Sequence, residues 1–117
     1  MIAVLYAVTT LNVLVAAGFA LAGLIRPQLV APGEPTEASR IFALYAAART
    51  IPLAAIAIAA MIGGPLIGVI WIGTLAGVVQ LVDGYVGMQQ KDAGKTWGPV
   101  AVGVLQFLAL GAVQFWG

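Results

Sequence analysis

The chain has 117 residues, 62% apolar and only 8% charged, with a net charge of +1. A charge share about a third of the ~25% usual in soluble domains excludes an ordinary soluble protein. Cysteine and histidine are both absent, which removes disulfides, thiol chemistry, histidine bases and the usual zinc or copper sites. The small, scattered positive charge likewise excludes a nucleic-acid partner.

A helix crossing the ~30 Å hydrocarbon core takes about 20 mainly apolar residues, so this length holds four spans. The first, about 2–25, carries no charge, and its strongly polar members are Thr9, Thr10 and Asn12. It lacks the basic start, short apolar core and cleavage site of a signal peptide. Residues 26–35 hold Pro27, Pro32, Pro35, Gly33 and Glu34, which end helices and favour turns, so they form a loop. Thr36 is placed to cap the second span, about 36–62, with Glu37 in the first turn where the helix dipole favours an acid. Gly63, Gly64 and Pro65 then make a tight turn that returns the third span, about 65–90, antiparallel beside the second. A charged connection, 91–95, leads to a fourth span, about 96–116, after which no soluble tail is expected.

The spans lack the period-two alternation of a lipid-facing barrel and are too long for its strands. The fold class is therefore all-α: one integral membrane domain, 1–117, built as an antiparallel four-helix bundle. Arg26 and Arg40 flank the first loop and Lys91 and Lys95 the third, while the second turn and both termini carry no basic side chain. By the positive-inside rule the 26–35 loop and the 91–95 connection face the cytoplasm and both termini lie outside. Trp97 then belongs near the inner interface, and Trp71 and Trp116 near the outer one.

Two short patterns invite stronger readings. Gly94, Lys95 and Thr96 resemble the end of a phosphate-binding loop, but Gln89 stands where the first glycine should be and no strand precedes it, so a plain cytoplasmic connection is preferred. Gly64 with Gly68, and Gly73 with Gly77, have small-xxx-small spacing, which suits packing inside the bundle better than dimerisation in a chain that already offers four helices.

Arg49 and Asp83 are the charges inside the spans. Each costs roughly 2.5–3.5 kcal/mol at the centre of a bilayer on insertion scales, so each needs a partner. Arg49 lies roughly 14 Å along its helix from Arg40, and Asp83 roughly 12 Å from Lys91, so their depths match. An Arg49–Asp83 ion pair between neighbouring spans is the economical arrangement. Tyr45 precedes Arg49 by four residues and Gln80 precedes Asp83 by three, on shared helical faces. Gln106 falls at a similar depth and Asn12 somewhat deeper. These six are expected to form one buried polar cluster. Pro52, beside Thr50, should kink the second span and free a carbonyl near Ala48. The cluster either fixes register and helix pairing or lines a cavity for a ligand or ion.

"FALYAAARTIPLAAIAIA" followed one span later by "LVDGYVG" resembles small bacterial four-helix membrane proteins of the DoxX-like class. In particular it is similar to an uncharacterised domain family with an Arg in span two and an Asp in span three. Arg49 and Asp83 occupy those positions, and "IRPQLVAPGE" matches the family's loop after span one. The resemblance covers essentially the whole chain and implies a bacterial inner-membrane, multi-pass protein with no established reaction and no cofactor. The family pattern often carries a His around the start of span four, where this chain has Thr96 and Trp97, which puts histidine-dependent chemistry in doubt.

Three functions are open, so enzymatic activity is undecided. The first is a non-enzymatic subunit or partner within a membrane assembly, in contact with lipid and with another membrane protein or a second copy. The second is a membrane-embedded enzyme or carrier for an apolar small molecule such as an isoprenoid or quinone, with Asp83 as acid or base and Arg49 setting its ionisation. The third, a proton-coupled small exporter, ranks last because the first span has no acid.

Overall fold

The computed structural model describes residues 1–29 and 33–116. Four long helices make up nearly all of it: α1, Ile2–Ile25; α2, Glu37–Gly63; α3, Leu66–Gln89; and α4, Ala93–Trp116. Each is long and apolar enough to cross a membrane. The described residues are thus all-helical, the build of a small multi-pass membrane protein. A short 3-10 turn, Pro27–Leu29, follows α1. Pro32 and the side chain of Trp116, to which loop and belt roles were assigned, lie outside the described residues.

The helix boundaries follow from local chemistry. Before α2 the Thr36 hydroxyl accepts the Ser39 backbone N–H at 3.0 Å, and the Ser39 hydroxyl accepts the Thr36 N–H at 2.9 Å. This reciprocal box satisfies two backbone donors, with Ser39 in the place more often held by Glu or Gln. α2 runs unbroken through Pro52. After it, Gly64 sits so close to the preceding turn that a Cβ there would stand 2.8 Å from the Ala60 carbonyl oxygen. Pro65 then opens α3 in an extended conformation.

The link from α3 to α4 is shorter than expected. The expected connection 91–95 shrinks to Gln90, Lys91 and Asp92, and Gly94, Lys95 and Thr96 lie in the first turns of α4. Two features cause this. Lys91 takes a left-handed conformation, φ 57°, while the Asp92 N–H reaches back to the Gly87 carbonyl at 3.1 Å and the Lys91 N–H to that of Met88 at 3.0 Å. Those crossed bonds are a Schellman closure of α3. Asp92 also starts α4, its carboxylate accepting the Lys95 backbone N–H at 3.0 Å as an N-cap does.

The chain, read above as one domain, divides into two compact units whose boundaries fall inside α1 and α2: Met1–Asn12 with Ala57–Gly117, and Val13–Ile56. In the first unit α3 and α4 pack in opposite directions. A Cβ at Gly87 would meet Lys95 and Thr96, at Gly84 Val100, at Gly77 Phe107 and at Gly73 Leu110. The buried stripe of α3 is Val69, Gly73, Ala76, Gly77, Gln80, Gly84 and Gly87, steps of three and four that keep one helical face toward its neighbour. Gly73 and Gly77 therefore serve packing within the chain. Gly68 does not: the nearest atom to a Cβ there is Pro65 Cγ at 3.9 Å, so of the Gly64–Gly68 pair only Gly64 makes a close approach, and that is to its own preceding turn. Leu5, Val8, Val69, Ala109 and Leu110 form the apolar core of this unit.

The second unit holds the rest of α1, the 3-10 turn and most of α2. Ser39, Ala43, Ala47 and Ala54 mark the buried side of α2, and the small side chains give that side a smooth surface.

Candidate functional site

The polar groups that come together are neutral and belong to the first unit. Thr9 and Asn12 lie three residues apart on one face of α1, Gln80 lies on the buried stripe of α3, and Gln106 projects from α4. All four are buried, none exposing more than 3% of its surface. Gln80 Nε2 donates to Asn12 Oδ1 at 2.9 Å, Asn12 Nδ2 to Gln106 Oε1 at 3.0 Å, and Gln106 Nε2 to Thr9 Oγ1 at 2.9 Å. Each amide gives its proton to the next residue along, a head-to-tail ladder in which successive bonds polarise one another.

Glycine makes room for this ladder. A Cβ on Gly73 would stand 2.8 Å from Gln106 Nε2 and 3.5 Å from Thr9 Oγ1, and one on Gly77 3.2 Å from Gln106 Cγ. The two glycines thus admit the long Gln106 side chain between α3 and α4 while the backbones stay close. One turn away, the Thr10 hydroxyl donates to the Tyr6 carbonyl at 2.8 Å and lies 3.5 Å from the Met61 sulfur. Among the described residues no buried side-chain nitrogen or oxygen is left without a partner.

Asn12, Gln80 and Gln106 were expected in one cluster, and they meet. Arg49, Asp83 and Tyr45 were expected to be buried with them, and this is corrected: all three are exposed. The reason is helical register. On α3 the buried stripe steps from Gln80 to Gly84, so Asp83, one residue short of that step, falls beside the stripe. On α2 the buried side passes through Ala43 and Ala47, and Tyr45 and Arg49 each stand two residues, about 200°, further round. Arg49 finds its company on its own helix. Its guanidinium carbon lies 5.2 Å from the centroid of the Tyr45 ring, and Nη1 donates to the Tyr45 carbonyl at 3.3 Å, a cation–π contact reinforced by a hydrogen bond.

Thr9 was missed as a member of the ladder, although its spacing of three from Asn12 puts both on one face. Gly73 was read only as half of a packing pair, and its second role is to shelter Gln106.

Amides and a hydroxyl do not titrate in the physiological range and carry no activated nucleophile. The ladder's chemistry is therefore that of a fastener. A shallow groove of about 280 Å³ lies elsewhere, lined by Leu24, Ile25, Pro27, Arg40 and Leu44, and it contains none of the six expected site residues. Compared with family models, curated proteins and solved structures, the chain matches none.

Proposed function

We propose that the chain is a small polytopic protein of the cell membrane, crossing it four times as an antiparallel bundle and serving as a non-enzymatic subunit or partner in a membrane assembly. The observation that carries this reading is the division of polar groups. Those buried inside are neutral and bonded to one another, which leaves no acid, base or nucleophile there to work on a substrate. The resemblance to the DoxX-like class supports the membrane setting. So does the surface: Ile25, Phe42, Ile62, Trp71 and Phe115 each expose two thirds or more of their area, an apolar exterior suited to lipid. In this reading the 26–35 loop and the 91–95 connection face the cytoplasm and both termini lie outside, as the positions of Arg26, Arg40, Lys91 and Lys95 favour.

The test is purification in mild detergent with identification of whatever apolar molecules stay bound. The proposal expects no stoichiometric ligand beyond bilayer lipid, and a melting temperature that falls when Asn12 or Gln106 is replaced by Leu. A stoichiometric isoprenoid or quinone, lost from a folded Asp83→Asn protein, would replace this reading with that of a carrier or enzyme. A reporter fused to the C-terminus that reads cytoplasmic would overturn the orientation.

A further inference from the structure

We propose that the groove where α1 ends beside the start of α2 seats one ethanolamine phospholipid, its phosphate on Arg40 and its ammonium on the carbonyls that close α1; this rests on the membrane reading above. Leu24, Ile25, Pro27, Arg40 and Leu44 line the groove. All five belong to the Val13–Ile56 unit, so that unit alone builds the walls. The volume, about 280 Å³, is just under the ~300 Å³ at which pockets for whole small molecules begin. It has room for a headgroup and the first carbons of the chains, the rest of which run on in the bilayer. Polarity is graded along the groove as it is along a lipid. Arg40 is three residues in from Glu37, where α2 begins, about 5 Å along the axis, which is headgroup level for a span that starts there. Leu44 lies one turn deeper on the same face and is exposed, as is Ile25 across from it.

Charge complementarity selects the headgroup. The exposed Arg40 carries a planar fork of donors that fits a phosphate with two parallel hydrogen bonds. Neither acid of its own unit, Glu34 or Glu37, forms an ion pair with it. The α1 side of the groove has the opposite character. Pro27 has no N–H to return to the helix, the Arg26 N–H goes to the Ala22 carbonyl and the Leu29 N–H to that of Arg26. The carbonyls of Leu24 and Ile25 are thus left without a backbone donor among the described residues, at a helix end whose partial negative charge favours a cation. Glu34 and Glu37 balance Arg26 and Arg40 at this end of the unit, all four exposed. A cation beside free acceptors, with no excess of either sign, matches a zwitterionic headgroup that has N–H donors. Ethanolamine has them; choline carries the same charges with no N–H to give, and a glycerol headgroup has no cation.

The experiment counts lipids on the full chain in mild detergent by native mass spectrometry, with phosphatidylethanolamine, phosphatidylcholine and phosphatidylglycerol of identical chains added in turn. The wild type is expected to hold one phosphatidylethanolamine, with about 10-fold weaker binding of the other two. Arg40→Gln should lose about 10-fold of that affinity. Leu44→Trp, which keeps the charge and fills the groove, should lose as much, while Arg49→Gln, a cation of the same unit outside the groove, should bind as the wild type does. Melting temperatures establish that each variant compared is folded. Equal binding of the ethanolamine and choline lipids would overturn the proposal, and so would equal losses in Arg40→Gln and Arg49→Gln, which mark attraction to charge at large. Glycerophosphoethanolamine, the same headgroup without chains, should not displace the lipid; if it competes equally, the groove takes a soluble phosphodiester and the lipid seat is overturned. An alkaline carbonate wash of the membranes separates the two readings. A chain that stays in the pellet but shows no preference among the lipids overturns the seat alone, whereas a chain released by the wash overturns the membrane reading and the seat with it.

Discussion

The two compact units of this chain hold themselves together by different means. In Met1–Asn12 with Ala57–Gly117, side chains far apart in sequence bond directly, Asn12 and Thr9 with Gln106 and Asn12 with Gln80, and glycines bring α3 and α4 nearly into backbone contact. In Val13–Ile56 the hydrogen bonds described between side chains and their partners are local, Thr36 with Ser39 and Arg49 with Tyr45, and the buried side of α2 is mostly alanine. The first unit has groups that fit one arrangement only, because a displaced glycine seam or a broken amide ladder leaves clashes or unsatisfied donors. Among the described residues the second has no such groups in its interior, and it carries the cation Arg49 on its surface. Specificity within the chain is thus concentrated in one unit.

The comparison breaks most visibly at the glycine seam. A Cβ on Gly87 would collide with the Lys95 carbonyl and the Thr96 nitrogen, which are backbone atoms and cannot rotate away. Pro99 contributes to the contact, since it has no N–H to offer Lys95 four residues before it, leaving that carbonyl free to face Gly87. Gly87→Leu should therefore abolish folded protein, and Gly87→Ala should cost roughly 1–3 kcal/mol by overpacking, read as a drop in melting temperature in mild detergent. Gly111 is the control, because a Cβ there meets nothing within 4 Å; Gly111→Ala should leave the temperature unchanged or raised, alanine being the better helix former by up to about 1 kcal/mol. Equal losses at Gly87 and Gly111 would show that the seam has no special role.

The amide ladder comes next in size. Gln106→Leu leaves Asn12 Nδ2 without its acceptor and Thr9 Oγ1 without its donor, a loss of roughly 1–3 kcal/mol. The ladder, as distinct from each residue alone, is tested by combining Gln106→Leu with Asn12→Leu. Residues in one hydrogen-bonded network couple by about 0.5–3 kcal/mol. Strictly additive losses in a double-mutant cycle would reduce the ladder to three independent contacts.

These two features also mark how far the sequence could be read. The four helices were legible because their interiors are nearly free of charge and because Pro27, Pro35, Gly64 and Pro65 punctuate them in ways that few backbones tolerate inside a helix. The start of α4 was not, since "KDAGK" looks like a charged connection until Asp92 is recognised as a cap and Lys91 as the left-handed residue that lets α3 stop abruptly. Three of the four members of the polar site were legible from depth alone: Asn12, Gln80 and Gln106 lie at compatible levels, and depth is set by the fixed rise of the helix. Rotation about the axis was harder to read. Gln80 and Asp83 are three apart, and residues so spaced share a face only where the buried stripe takes a step of three; here it steps four, to Gly84. The cost of a charge in lipid singled out Arg49 and Asp83, but depth along a helix does not say which way a side chain faces.

A smaller effect sharpens the second half of the comparison. In Val13–Ile56 the specific bonds at the start of α2 are the reciprocal pair between Thr36 and Ser39, so Thr36→Ala should cost about 1 kcal/mol, the usual worth of an N-cap. Ser39→Ala should cost a similar amount, and the double variant little more than either, since each removes the same box. Hydrogen exchange at the first turn of α2 locates the effect; protection lost there but retained in α3 and α4 is the expected pattern. If α3 and α4 lose protection equally, the two units do not differ in the way described.

The smallest effect has the opposite sign. Lys91 is the one non-glycine residue with positive φ among the described residues, and a left-handed backbone costs a side-chain-bearing residue roughly 1–2 kcal/mol that glycine does not pay. Against this, glycine loses more conformational entropy on folding, by roughly 0.5–1 kcal/mol. Lys91→Gly should therefore raise the melting temperature slightly, because the strain relieved exceeds the entropy lost, and Lys91→Val should lower it, β-branched residues tolerating positive φ worst. Lys91 is also one of four basic residues that set the orientation proposed for the chain, so Lys91→Gly weakens a topological signal while it strengthens the turn. Lys91→Asn separates the two effects. It removes the same charge but keeps a side chain that tolerates the left-handed region better than lysine does, so its stability should fall between those of the wild type and Lys91→Gly, while any change of orientation should match that of Lys91→Gly.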